Sequence, residues 1–105
     1  MLALGCPHLR KLNLSFCGSA VSDSSLRSIG LHLLELNELS VRGCVRVTGI
    51  GVEAISDGCH KLQYFDVSQC KNLTPWLEAG GIRKYMSRIR FETIARGNNK
   101  IGLFS

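Results

Sequence analysis

One pattern recurs along this chain at a nearly constant interval, and it restricts the possible folds more than any other feature. Leu9-x-x-Leu12-x-Leu14-x-x-Cys17 returns as Leu36-x-x-Leu39-x-Val41-x-x-Cys44 and again as Leu62-x-x-Phe65-x-Val67-x-x-Cys70, at intervals of 27 and 26 residues. A weaker copy, Met86-x-x-Ile89-x-Phe91-x-x-Ile94, follows after 24 residues and lacks the cysteine. Self-similarity at such a period marks stacked structural units. A single unit cannot bury its own apolar face, whereas neighbours in a stack bury each other's.

Each copy has a direct physical reading. Leu12 and Leu14 alternate with polar residues, so they point to one face of a short strand. The cysteine three residues later is a small apolar group that fits beneath its counterpart in the next unit. A turn and a helix then follow, carried by Leu26, Ile29 and Leu33 in the first unit and by Val52, Ile55 and Cys59 in the second. Ser22 or Asp23 is placed to cap the first helix. Thr74-Pro75 begins another helix, with proline tolerated in its first turn, and Gly80-Gly81 obscures where that helix ends. The expected fold is an α/β solenoid, a right-handed βα superhelix. A short parallel sheet lines its concave face and the helices lie outside.

Residues 1–94 are expected to form the stack, about three units plus a partial one at each end, and residues 95–105 a polar tail. Met1–Cys6 reads as the end of a helix from a preceding unit. On that reading the chain is expected to be a fragment, a truncated reading frame or a subunit that hides its first face.

Composition narrows the function. Apolar residues make up 45% and charged residues 20%, a globular balance rather than that of a disordered chain. No apolar run is long enough to span a bilayer, and Met1–Pro7 lacks the basic head and apolar core of a secretory signal. Cytoplasmic or nuclear residence is expected. The five cysteines are odd in number and include no Cys-x-x-Cys pair, which argues against a closed disulfide framework, a thioredoxin-like motif or a zinc ribbon.

The unit Cys6-Pro7-His8-Leu9-x-x-Leu12-x-Leu14-x-x-Cys17, continued by Val21-Ser22-Asp23 and Leu26, resembles the cysteine-containing leucine-rich repeat. That repeat reads C-P-x-L-x-x-L-x-L-x-x-C, then I/V-T/S-D and a helix. The resemblance covers Met1 to about Leu73 well and extends weakly to Ile94. It is greatest to fungal F-box proteins, whose repeats present substrates to an SCF-type ubiquitin ligase. The resemblance implies a protein-binding module, the substrate-recognition part of such a receptor. The Skp adaptor and cullin would be reached only through an F-box upstream of this chain. Two departures stand out: Leu33-Leu34 replaces Cys-Pro in the second unit, and Gly49 replaces the aspartate. Similar repeats occur without an F-box, including in regulators of mitotic exit, so a free-standing scaffold or cell-cycle regulator is the alternative.

The repeat register lists the side chains expected on the concave strand face. One column is Lys11, Glu38, Tyr64 and Arg88. The next is Asn13, Ser40, Asp66 and Arg90, and the third is Ser15, Arg42, Ser68 and Glu92. Tyr64, Arg42 and Arg88 are the expected anchors, because tyrosine and arginine are over-represented among binding hot spots. Phe16, just past the first strand, reads either as an exposed anchor or as packing against the next unit.

Catalysis is not expected, and no cofactor or metal is implied. Cys59-His60 is the one adjacent thiol and imidazole pair, but sequence neighbours point different ways and Cys59 fills a structural slot. His8, His32 and His60 lie near helix ends. Gly49-x-Gly51 matches no phosphate loop. The net charge is +5, and six of the thirteen basic residues, Arg83, Lys84, Arg88, Arg90, Arg96 and Lys100, fall near the end. With Tyr85 and Phe91 interleaved, this segment offers a rival reading as a nucleic-acid or acidic-surface binder. Phe91 belongs to the inward strand register, and Glu78 and Glu92 dilute the charge, so nucleic acid is not the expected partner.

Overall fold

Parallel strands joined by helices require each connection to return across the sheet, and the 26-residue interval is long enough for a strand, a turn and a helix. The computed structural model shows this arrangement and describes residues 8–93. Strand β1 (Lys11–Asn13) leads to helix α1 (Asp23–His32), β2 (Glu38–Ser40) to α2 (Gly49–Gly58), and β3 (Tyr64–Asp66) to the short α3 (Thr74–Glu78) and then β4 (Arg90–Glu92). The four strands form one parallel sheet in the order β1-β2-β3-β4. This mixed α/β architecture is compatible with a leucine-rich repeat fold.

The core follows the repeat. Leu39 and Phe65 face inward from the strands, and Leu26, Ile29, Val52 and Ile55 meet them from the helices. Fully burying one such side chain is worth about 1.5–3 kcal/mol, so stability is distributed over the units. Leu9 and Leu12, on the open side of β1, are only partly buried. Phe65 and Phe91 stack with ring centroids 5.8 Å apart.

Helices α1 and α2 come close because glycine lies between them. A side chain at Gly30 would place its Cβ 2.7 Å from the Ala54 carbonyl oxygen, and one at Gly58 would strike the Gly30 carbonyl. Helix α3 is shorter. Its end is closed by Gly80, whose left-handed φ of 85° suits glycine, and by Gly81 N–H donating to Trp76 O at 2.9 Å. Trp76 lies against Gly49 and Gly81, where any side chain would meet its ring, and its Nε1 donates to Glu53 at 2.9 Å. The glycine that replaces aspartate at position 49 thus makes room for an indole.

The cysteines bond backwards along the stack. Cys44 Sγ donates to Leu14 O at 3.1 Å and Cys70 Sγ to Val41 O at 3.1 Å, each in the preceding unit. Burial pushes the Cys59 thiol up to about 11 and the Cys70 thiol up to about 12, and raises that of Cys44. The expectation that every repeat cysteine is packed fails at Cys17, which is exposed.

The fourth strand corrects the sequence register. Phe91 pairs with Phe65, Arg90 with Tyr64 and Glu92 with Asp66. The repeat spacing in the sequence puts Ile89 in the Phe65 column, two residues out of step. Thr93, 5% exposed, takes the inward position that this spacing gives to an apolar residue, so a polar residue in a core slot concealed the true interval. Ile89 is buried before the strand begins. The expected helix end at Met1–Cys6, the position of Ile94 and the tail of residues 95–105 lie outside the described residues.

Candidate functional site: the strand face

Strand alternation sends Leu12, Leu39, Phe65 and Phe91 inward and their neighbours to the opposite face. The observed columns on that face are Lys11, Glu38, Tyr64 and Arg90, then Asn13, Ser40, Asp66 and Glu92. Together with Ser15, the first three strands border a shallow groove of about 430 Å³.

Hydrogen bonds hold much of this face in place. Ser15 Oγ and Ser40 Oγ lie 2.7 Å apart. Ser15 N–H donates to Asn13 Oδ1 at 2.9 Å. Lys11 Nζ stands 3.6 Å from Glu38, an exposed pair of the kind worth about 0–1 kcal/mol. Arg42 Nε donates to Asp66 Oδ2 at 3.1 Å, while Asp66 Oδ1 accepts the Ser68 N–H at 2.9 Å. Asp66 is 8% exposed, so its charge is balanced mainly by Arg42. Tyr64 is half-buried beside these groups. Burial raises its phenol above the ordinary value, Asp66 and Glu92 add to the shift, and Arg42 and Arg90 oppose it.

Of the expected face residues, the structure gathers Lys11, Asn13, Ser15, Glu38, Ser40, Arg42, Tyr64, Asp66 and Arg90. Two depart. Arg88 does not stand in the Tyr64 column: its Nη2 donates to Ser56 O at 2.7 Å and its Nη1 to Cys59 O at 3.4 Å. It neutralises the carbonyls ending α2, where a cation is favoured by the helix dipole. Ser68 is fully buried and presents no surface. Glu92, which the sequence placed in the third column, stands beside Asp66 in the second. Phe16 is 64% exposed while its ring lies over Gly43, so both readings of it hold in part.

Residues 5–30 match the family model described as leucine-rich repeat. That stretch is similar to a leucine-rich repeat. The matched stretch spans β1, the following turn and most of α1, and the same spacing of inward residues repeats in the β2–α2 unit. Modules built from such repeats generally bind proteins and serve as non-enzymatic scaffolds.

Two other sequence readings meet specific geometry. The Cys59 thiol is fully buried and donates to Leu33 O at 3.5 Å, and burial pushes it up to about 11, which opposes the thiolate that nucleophilic attack needs. Tyr85 is 4% and Phe91 8% exposed, and Tyr85 Oη bonds Asp57 Oδ1 at 3.0 Å. Neither ring offers the open face that base stacking needs. Among the described residues, no cluster of three His, Cys, Asp or Glu side chains could hold a metal ion, and no helix is long and apolar enough to cross a membrane.

Proposed function

We propose that this chain is a solenoid recognition module that holds a protein partner on its strand face. The observation that carries the reading is the sheet register, which sets Lys11, Glu38, Tyr64 and Arg90 side by side. Their backbones are fixed by the ladder, so a partner meets a pre-organised surface and little ordering entropy opposes binding. Tyr64 is the central anchor, with Arg90 and Lys11 at the margins. The aspartate-bound Arg42 positions Asp66 more than it reaches outward.

The finer reading is substrate recognition for an SCF-type ubiquitin ligase, in the cytoplasm or nucleus. The F-box, Skp adaptor and cullin would be joined outside this segment. The resemblance of Cys6-Pro7 through Leu26 to the cysteine-containing repeat supports it.

Immunoprecipitation of the endogenous protein, with mass spectrometry of its length and companions, tests both levels. A longer chain accompanied by a Skp adaptor and a cullin is expected. A companion protein should be lost on Tyr64→Ala with Arg90→Glu. Absence of both ligase components overturns the ligase reading, and companions that survive the strand-face variants overturn the strand face.

A further inference from the structure

A column of turn residues just ahead of the strands pairs across the units. His8 Nδ1 stands 3.7 Å from Glu35 Oε2, and Lys61 Nζ stands 3.8 Å from Glu35 Oε1. The column follows the strand register, since His8, Glu35 and Lys61 each lie three residues ahead of the paired Lys11, Glu38 and Tyr64. Tyr64 pairs in turn with Arg90, and the residue three ahead of Arg90 is Ser87. Glu35, Lys61 and Ser87 all fall in turns. Lys61 therefore has a carboxylate in the unit before it and a neutral serine in the unit after it.

The sequence around Ser87 is one-sided in charge. Arg83-Lys84-Tyr85-Met86 precedes it, Arg88-Ile89-Arg90 follows it, and no acidic residue lies between Glu78 and Glu92. Ser87 is exposed, as are Arg83 and Lys84. Arg88 is committed to the carbonyls of Ser56 and Cys59, which leaves Arg83 and Lys84 to be read by another protein. Turn bonds such as Met86 N–H to Arg83 O at 3.3 Å and Arg88 N–H to Tyr85 O at 3.0 Å fold the segment. Local opening of such a turn, which frees Tyr85 from Asp57, presents it extended. Thr93 also has an arginine, Arg90, three residues ahead of it, but Thr93 is 5% exposed. Burial thus separates two acceptors that the sequence offers alike.

We propose that Ser87 is a phosphorylation site for a serine kinase that reads basic residues ahead of its acceptor, and that the phosphate pairs with Lys61. The kinase carries the γ-phosphoryl group of a nucleoside triphosphate to Ser87 Oγ. The new O–P bond forms as the bond to the leaving diphosphate breaks, and the hydroxyl proton goes to the kinase's carboxylate base. The phosphoserine carries about −1.5 to −2 charge at pH 7. It extends the column by one anion and ties the last unit to the third. This edge lies ahead of the strands, so the proposal does not depend on the strand-face reading.

The test treats the full chain with a basic-directed serine kinase and magnesium ATP, with an acid-directed kinase as control, and maps phosphate by mass spectrometry. Circular dichroism first establishes that each variant is folded. Phosphate should appear on Ser87 with the basic-directed kinase alone. Arg83→Ala with Lys84→Ala should slow incorporation about tenfold or more, because kinases select substrates by charge pattern. At low salt the phosphorylated chain should melt higher than the unmodified chain, and Lys61→Ala should remove the gain. Absence of phosphate on Ser87 overturns the proposal, as does unchanged incorporation in the double variant. Phosphate on Thr93 in its place also overturns it, because the folded chain hides that residue. A lowered melting temperature, or a gain that survives Lys61→Ala, overturns the pairing with Lys61.

Discussion

The carboxylate of Asp23, in the first turn of α1, reaches the start of the next helix and bonds Thr48 twice. Oδ1 accepts the Thr48 backbone N–H at 2.8 Å and Oδ2 accepts Thr48 Oγ1 at 2.6 Å. Oδ1 also takes the Gly51 N–H at 3.1 Å. An acidic group at a helix N-terminus satisfies free donors and complements the dipole, and here it joins two units. Asp23→Ala should cost about 2–3 kcal/mol, because hydrogen bonds to a charged group are the stronger kind. Chemical denaturation read by circular dichroism checks it, and wild-type stability in the variant would refute the cross-unit cap.

Gly30 gives a prediction whose sign is informative. In an exposed helix, glycine to alanine is worth about 1 kcal/mol of added stability. Here the new methyl would sit 2.7 Å from Ala54 O, and overpacking costs about 1–3 kcal/mol. Gly30→Ala should therefore lower the melting temperature. A raised melting temperature would mean that α1 and α2 have room to move apart.

The buried thiols predict an alkaline weakness. Cys59 and Cys70 are pushed to about 11 and about 12 from an ordinary value of 9.0. Above pH 9 the unfolded chain releases these protons while the folded chain keeps them. Stability is then full below about pH 9 and falls as pH rises towards 11 and 12. Urea unfolding at pH 8 and pH 10.5 should show this loss, and Cys70→Ala should reduce its pH dependence. In the same samples at pH 8, thiol labelling mapped by mass spectrometry should mark Cys17 readily and Cys44, Cys59 and Cys70 only on unfolding.

Ser56 is fully buried, and its hydroxyl has no hydrogen-bond partner among the described residues. An unsatisfied buried hydroxyl costs about 1–3 kcal/mol. Ser56→Ala should stabilise the chain by about 1 kcal/mol in a thermal melt. Destabilisation would mean that the hydroxyl makes a bond in solution.

Arg42 and Tyr64 should separate stability from recognition. Removing Arg42 leaves the nearly buried Asp66 carboxylate without its cation, although the Ser68 N–H remains. Because Arg42 is itself about a third exposed, Arg42→Ala should cost a screened ~1–2 kcal/mol. Tyr64→Ala should weaken the partner by about tenfold or more, as aromatic anchors do, with a smaller effect on the melt. The reverse ranking would make Arg42 the contact and Tyr64 the structural residue.

The spacing of apolar residues by itself determined three strand–helix units, their parallel order and the inward residues from Leu14 to Leu73. Stacked units must repeat their buried positions at the same interval, and that demand is written in Leu, Val, Ile and Cys. The same spacing misplaced the fourth strand, because Thr93 holds an apolar slot and Ile89 is buried outside the strand. Only the tertiary structure decided that Arg88 serves the carbonyls of α2 rather than the strand face. It also decided that Asp23 caps the helix after its own, and that Trp76 fills the space left by Gly49. Those outcomes depend on which donors and acceptors lie within reach across units. A linear pattern records what a residue buries, but a hydrogen bond is chosen by geometry between distant parts of the chain.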